Sequence, residues 1–85
     1  MAGTAFILQG RRREADGTVT EVVATFAPPV QEPDDGSWYC EVACPGVLTS
    51  EKKIYGVTAE QAVALARSLV SSQFDHYGFD PIRDS

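Results

Sequence analysis

The residues of this chain that are best suited to bind a metal ion are two cysteines and one histidine, Cys40, Cys44 and His76. A structural zinc site needs four ligands, and two of them are commonly cysteines separated by two to four residues. Cys40 and Cys44 lie in a segment with strand character, where positions four apart are about 13 Å from each other. That distance is too long for one shared ion and also for a disulfide, whose Cα atoms lie within about 7 Å. We therefore predict two buried free thiols, no metal site and no cofactor.

His76 is also the candidate for a general base, with Asp75 or Asp80 to orient its ring. Adjacent helical residues do not face each other, which weakens a dyad of Asp75 and His76. The chain has no glycine-rich phosphate loop, no Walker lysine and no nucleophile elbow. We expect a protein without enzymatic activity. A small enzyme or ligand-binding domain that uses His76 is the alternative.

Acidic residues outnumber basic ones by 12 to 7, so the net charge is −5. A surface that binds phosphates needs clustered lysine and arginine. The one basic cluster, Arg11–Arg13, has Glu14 and Glu21 nearby, and we predict that it is a solvated strand end paired with them. A contact of this cluster with nucleic acid or an acidic partner is the alternative. The charge balance favours a basic protein partner over direct binding of nucleic acid.

Carboxylates concentrate in the proline-rich segment 28–36, where a negative surface is able to steer onto a basic protein. Tyrosines are frequent anchors of binding interfaces, and two of them lie in the segments that follow. The alternative is that these charges serve solubility alone. The predicted partner-binding residues are Glu32, Asp34, Asp35, Glu41, Glu51, Asp80, Tyr39 and Tyr55.

The elements that must position these residues follow from periodicity and turn residues. The chain divides into a β-hairpin over 1–27, a loop over 28–36, two strands within 37–55, a helix over 58–78 and a tail over 79–85. The hairpin strands cover 4–13 and 18–26, and its two-residue loop is Asp16-Gly17. This register places Ala15 opposite Thr18, Arg12 opposite Glu21 and Ile7 opposite Phe26. It predicts an ion pair between Arg12 and Glu21, and apolar residues on both faces of the hairpin.

In the third strand, Trp38, Cys40, Val42 and Cys44 share one face, which we predict to be the core. Thr58 suits a helix N-cap with Gln61 completing a capping box, and Gly78 suits the position after the helix. The helical stripe is expected to pack on the sheet through the following residues: Ala62, Val63, Leu65, Ala66, Leu69, Val70, Gln73 and Tyr77. The predicted fold is α+β, with a four-stranded antiparallel meander and one C-terminal helix on one face.

With 85 residues the chain makes a single domain. No apolar run approaches the roughly 18–20 residues that cross a bilayer, and no export signal is recognisable. We expect a cytoplasmic protein without a membrane partner, as a monomer or a homodimer.

The segments Trp38-Tyr39-Cys40, Tyr55-Gly56-Val57 and Gln61-Ala62-Val63 with Ala66 resemble a family of small bacterial domains of unknown function. The pattern is a Trp-x-Cys strand, then Tyr-Gly-hydrophobic leading into a Gln-Ala-aliphatic helix, and it covers residues 37–70. The resemblance supports the fold and implies no known activity.

By size, charge and lack of catalytic motifs the chain is also similar to small acidic inhibitor proteins, such as toxin-immunity and phage-type anti-CRISPR proteins. The resulting hypothesis is an inhibitor that occupies a basic surface of a nucleic-acid-handling protein. The alternative within binding functions is a homodimer in which edge strands pair across a two-fold axis.

Overall fold

Short antiparallel strands and one long helix make up residues 5–82, the part of the chain that the computed structural model describes. The elements are β1 (Phe6–Arg13), β2 (Val19–Phe26), β3 (Val30–Gln31), β4 (Trp38–Ala43), β5 (Lys52–Gly56), α1 (Ala59–Tyr77) and β6 (Asp80–Ile82). The α+β class and the helix on one face of an antiparallel sheet are confirmed. Thr4, the first residue of the predicted hairpin strand, and positions 83–85 of the predicted tail lie outside the described residues.

The prediction of four strands is wrong, because the described sheet contains two further short strands, β3 and β6. Across the sheet, β5 pairs with β4, β4 with β2, β2 with β1 and β1 with β6, while β3 extends the pairing of β4 beyond the end of β2. The meander β1-β2-β4-β5 is therefore present. The helix then carries the chain across the sheet to the opposite edge.

β3 exists because the chain regains its pairing after Pro28 and Pro29. Phe26 lies opposite Val42, whereas Val30 lies opposite Tyr39, so the β2–β3 side contains one extra residue. This is the geometry of a β-bulge, where prolines are tolerated because the extra residue makes no ladder bond. The prediction of a loop throughout 28–36 is thus wrong for the two residues of β3.

β6 occupies part of the predicted tail over 79–85. Gly78 ends the helix, and Phe79 then enters the core with 4% of its surface exposed. Burial of that ring brings the next three residues alongside β1, where Asp80 lies opposite Arg11 and Ile82 opposite Gln9. Apolar burial therefore positions a strand too short for its pattern to be recognised.

The hairpin register differs by one residue from the prediction. Its loop has three residues, since the Glu14 amide donates to the Thr18 carbonyl at 2.8 Å and the Gly17 amide donates to the Glu14 carbonyl at 3.0 Å. Gly17 has a φ of 92°, as expected when a type I turn is followed by a left-handed residue. Consequently, Arg12 lies opposite Thr20 and Arg11 opposite Glu21.

The predicted ion pair of Arg12 with Glu21 is wrong for the same reason. Arg11 Nε lies 3.5 Å from Glu21, on the exposed face. Arg12 Nε donates to Glu14 at 2.6 Å instead, and its Nη1 donates to the Tyr77 carbonyl at 2.8 Å. Arg11 and Arg12 are thus both paired with carboxylates, which agrees with the prediction of a paired strand end.

The core lies between α1 and one face of the sheet. The predicted core face of β4 is confirmed, with Trp38 half-buried at its edge. On the helix, however, Leu65 and Tyr77 are 44% exposed, and Phe74 is buried instead. The buried residues are Val22, Ala24, Phe26, Cys40, Val42, Cys44, Ala62, Ala66, Val70, Phe74 and Phe79.

Both helix termini have the predicted caps. Thr58 Oγ accepts a hydrogen bond from the Gln61 amide at 3.1 Å, and the Gln61 side chain accepts from the Val57 amide at 2.6 Å. The Gln61 side chain therefore reaches one residue beyond the N-cap. At the other end, Gly78 has a φ of 79° and its amide is directed at the Phe74 and Asp75 carbonyls.

Two glycines lie where the helix comes closest to the sheet. A Cβ atom on Gly56 would lie 2.6 Å from the backbone nitrogen of Ala62, and one on Gly10 would lie 2.9 Å from Cε2 of Phe74. Both distances are shorter than a carbon atom tolerates. Because glycine has only a hydrogen atom in place of Cβ, α1 is able to pack directly on β5 at one end and on β1 at the other.

We predict that Gly56→Ala lowers the free energy of unfolding by about 2–3 kcal/mol, because the added methyl group meets helix backbone that is unable to move aside alone. The urea midpoint should fall while the slope m stays constant. Gly17→Ala is the control: it meets no atom within 4 Å and should cost about 1 kcal/mol through its positive φ. Equal or smaller destabilisation by Gly56→Ala would contradict the close seating of the helix.

Candidate functional site

Cys40 and Cys44 are buried free thiols, as predicted. Burial raises the pKa of both thiols above the ordinary value of 9.0. The Cys40 thiol is directed at the Ala27 carbonyl, with the sulfur 3.5 Å from its oxygen. Within residues 5–82, no group of three or more His, Cys, Asp or Glu side chains is arranged to hold a metal ion. The two thiols therefore behave as core residues.

His76 is exposed near the end of α1, and its ring packs edge-on against Tyr77 with 4.9 Å between the ring centroids. Neither Asp75 nor Asp80 forms an ion pair with it in the described part of the chain. Asp80 instead lies on β6, opposite Arg11. The groups of the predicted general base are not brought together.

The predicted tyrosines lie side by side on the face of the sheet that the helix leaves open. Tyr39 and Tyr55 are directly opposite each other on β4 and β5, and their ring centroids are 5.6 Å apart. The Tyr55 hydroxyl donates to Glu32 Oε1 at 3.5 Å. This bond joins the tyrosine pair to residues 32–37, between β3 and β4, which we call the acidic loop. Lys53 Nζ lies 4.8 Å from the centroid of the Tyr39 ring. Lys53 is opposite Glu41 on β4, whereas Glu32 lies near the Trp38 end of that strand.

The loop that carries the acidic residues is closed by its own hydrogen bonds. The Glu32 amide donates to the Ser37 carbonyl at 2.7 Å, and the Gly36 amide donates to the Glu32 carbonyl at 3.1 Å. The side-chain amide of Gln31 donates to the Gly36 carbonyl at 3.1 Å. These bonds close the backbone that carries Asp34 and Asp35, and both side chains are exposed.

Asp35 organises the end of this loop. Its Oδ1 accepts hydrogen bonds from the Ser37 amide at 3.0 Å and from the Ser37 hydroxyl at 2.7 Å. These two bonds favour the ionised carboxylate and lower the pKa of Asp35 below its ordinary value. The intervening residue, Gly36, has a φ of 77°. The turn therefore orients the Asp35 carboxylate and favours its charged form.

The same turn occurs at the opposite end of the sheet. Asp16 Oδ1 accepts from the Thr18 amide at 3.0 Å and from the Thr18 hydroxyl at 2.7 Å, and its pKa is lowered for the same reason. The repeated triplet Asp-Gly-Ser/Thr is the sequence signal for this feature, which the prediction recognised only as a hairpin turn. Asp16 offers a matched comparison for Asp35 at the other end of the molecule.

A groove of about 460 Å³ adjoins the acidic loop at the end of β5. Its apolar walls include Tyr55, Val57 and Leu65, which are 50%, 79% and 44% exposed. The sequence predictions missed Val57 and Gln61 as surface-binding residues and assigned Leu65 to the core. The lining consists of Asp35, Gly36, Ser37, Tyr55, Gly56, Val57, Gln61 and Leu65.

The remaining predicted site residues are distributed elsewhere. Glu41 lies opposite Lys53 on the open face, and Glu51 is exposed just before β5. Asp80 is on the opposite edge of the sheet, where it lines a separate cavity of about 350 Å³ with Arg11 and other residues. The structure thus brings together Glu32, Asp35, Tyr39 and Tyr55, and keeps Asp80 apart.

A comparison of the chain with protein-family models, with curated proteins and with solved structures finds no match in any of the three. The resemblance to the small bacterial domain family stays a prediction. No helix within residues 5–82 combines the length and the apolar character that crossing a membrane requires.

The lowered pKa values of Asp16 and Asp35 predict a loss of stability in acid. A carboxyl group with a lower pKa in the folded state stabilises the fold above its unfolded pKa, and this contribution disappears as the pH falls through the folded pKa. We expect the urea midpoint of the Asp16→Asn/Asp35→Asn variant to fall less than that of the parent between pH 7 and about pH 2.5. Parallel pH profiles of the two proteins would contradict this account of the turns.

Proposed function

We propose that the protein is a non-enzymatic, acidic protein-binding module that docks on a basic protein surface. Its binding surface is the acidic end, which we define as the side chains of Glu32, Asp34, Asp35, Tyr39 and Tyr55 together with the adjoining groove. The observation that carries the proposal is the convergence of loop carboxylates and a tyrosine pair beside a groove whose described lining contains no lysine or arginine. Carboxylates supply steering and tyrosines supply buried contact area.

The distribution of ion pairs supports this choice of surface. In residues 5–82 the ion pairs join Arg11 to Glu21 and Arg12 to Glu14, all near the hairpin. No ion pair in this range involves the acidic loop. Charges that are not neutralised within the chain contribute most to the long-range field and to the rate of association with an oppositely charged partner.

From the hydrogen-bonded loop with its carboxylates we infer that the role of this module is inhibition of a nucleic-acid-handling protein. Proteins that bind nucleic acid present clustered lysine and arginine to the phosphate backbone. A loop that holds several carboxylates on a hydrogen-bonded backbone offers such a cluster a fixed set of negative charges. Occupation of the basic surface would then compete with nucleic acid, in the manner of the small acidic inhibitors to which the chain is similar in size and charge.

A comparison of two isosteric variants tests the proposal. A partner is first captured from a host lysate, and its affinity for the purified chain is measured over a salt series. Asp34→Asn/Asp35→Asn is expected to weaken binding about threefold to tenfold and to reduce the salt dependence, because two exposed charges are removed. Asparagine retains the oxygen that accepts both Ser37 hydrogen bonds, so the turn should persist.

Asp16→Asn is the matched control, since Asp16 makes the same two hydrogen bonds at the opposite end of the sheet. It should leave the affinity and its salt dependence unchanged apart from the small effect of net charge. Competition with a labelled oligonucleotide for the partner then tests the inhibitory role. An affinity that both variants lower equally, or that neither changes, would remove the acidic end from the mechanism.

A further inference from the structure

β5 presents an unpaired strand edge next to the acidic end. The five residues Lys52–Gly56 pair with β4 on one side, and in the described part of the chain the other side has no strand partner. Backbone amides and carbonyls along such an edge are a template for a further strand. Lys52, Lys53 and Tyr55 are exposed, whereas Ile54 and Gly56 are partly buried, Gly56 beneath the first turn of α1.

The other short strands that pair on one side only are less suited to accept a strand. β3 has two residues and lies between Pro29 and Pro33, and β6 has three residues that include Pro81. Proline lacks the amide that a ladder needs, and short edges offer few bonds. Of these three strands, β5 is the longest and the one without proline.

The groove continues directly from this edge. Tyr55 and Gly56 line it from the strand, Gln61 and Leu65 from the helix, and Asp35 from the loop. A strand added to β5 would alternate its side chains between two faces. At the groove they would meet Leu65 and the exposed Val57, and on the open face they would meet Tyr55 and Glu32.

This arrangement specifies the chemistry of the added strand. Apolar side chains suit the groove, whose lining includes Val57 and Leu65. Cationic side chains suit the Tyr55 end of β5, which is near the carboxylates of Asp35 and Glu32 and away from Lys52 and Lys53. We propose, on the basis of the proposed function, that an extended basic segment of the partner protein adds to β5 as a strand, with an apolar side chain in the groove and arginine or lysine against these two carboxylates. Main-chain hydrogen bonds supply affinity and the groove supplies selectivity, as in other strand-addition complexes.

A second copy of the chain fits the edge less well. If two β5 strands paired antiparallel around Ile54, Glu51 of each copy would lie opposite Val57 of the other. Val57 lines the groove together with Asp35, so the Glu51 and Asp35 carboxylates of the two copies would lie near each other and repel. Each chain also carries a net charge of −5, so the two copies repel each other. A basic segment brings favourable charge to Asp35 and Glu32, provided that its cationic residues lie at the Tyr55 end of β5 and not beside Lys52 and Lys53.

The probe is a peptide in which valine alternates with polar residues, which are arginine in the half that would lie beside Tyr55 and threonine in the half that would lie beside Lys52 and Lys53. Its counterpart of the same length has glutamate in place of arginine. Each is titrated into the full-length, ¹⁵N-labelled chain while amide shifts and amide exchange are recorded. The arginine peptide should shift the amides of Lys52–Val57 and slow the exchange of the outward-facing ones, whereas the glutamate peptide should not. Val57→Ser/Leu65→Ser should weaken binding about tenfold, because it removes apolar contact area at exposed positions.

Ile7→Ser/Val19→Ser is the matched control, since Ile7 and Val19 are 50% and 48% exposed at sites away from the groove. This variant should bind the peptide like the parent. Strand addition is overturned if the peptide shifts only the amides of the loop, and if its affinity falls in Asp34→Asn/Asp35→Asn but not in Val57→Ser/Leu65→Ser. That result would leave the proposed function standing. Shifts of β5 amides that depend on protein concentration without peptide would identify a second copy as the occupant and overturn the proposal. If the affinity of the captured partner does not change in the Asp34→Asn/Asp35→Asn variant, the proposed function is overturned.

Discussion

The contact of the helix backbone with Gly56 determines much of the architecture. The backbone nitrogen of Ala62 lies only 2.6 Å from the position that a Cβ on Gly56 would occupy, so the first turn of α1 packs directly against the end of β5. From that point the row Ala62, Ala66, Val70 and Phe74 crosses the sheet and reaches Gly10 on β1. One face of the sheet is covered along this line and the other is left open. Leu65 is turned outward beside Gly56, so the same contact that stabilises the fold also forms a wall of the groove.

The acidic end depends on a second constraint, the continuation of β2 into β3 across the prolines. The extra residue at this bulge advances the chain so that Val30 and Gln31 still pair with β4. The loop that follows is thereby held against β5, where Glu32 reaches the Tyr55 hydroxyl. Without this pairing the carboxylates would lie on an unanchored loop. The Asp35 carboxylate, held by two hydrogen bonds, and the tyrosine pair therefore share one frame. A surface that is preorganised in this way would lose little conformational entropy in the binding proposed above.

The sequence predicted the features that local chemistry determines. The caps at Thr58 and Gly78 and the burial of alternate residues in β4 follow from residue type and spacing alone. The hairpin register did not, because Asp-Gly with a left-handed glycine suits both a two-residue and a three-residue loop. The buried stripe of α1 was wrongly predicted to include Leu65, because apolar residues surround much of the helix and the close approach to the sheet selects alanines instead. Strand β6 depends on burial of Phe79, which is a tertiary effect.

The candidate site shows the same division between local and tertiary information. Glu32, Asp35, Tyr39 and Tyr55 were predicted as partner-binding residues from charge and residue type, and the structure brings them together. Asp80 was grouped with them although the strand order places it on the other edge. No sequence pattern indicated the groove, since its walls come from a loop, a strand and a helix.

The pairing of β1 with β6 has a practical consequence for the whole molecule. Strands β1 and β6 form the margin of the described sheet that is farthest from β5 in the strand order. Gln9 and Ile82 lie opposite each other at this margin. A fluorescent label attached to either residue would therefore be separated from the tyrosines and the groove by the intervening strands, and would report on the protein without obstructing β5.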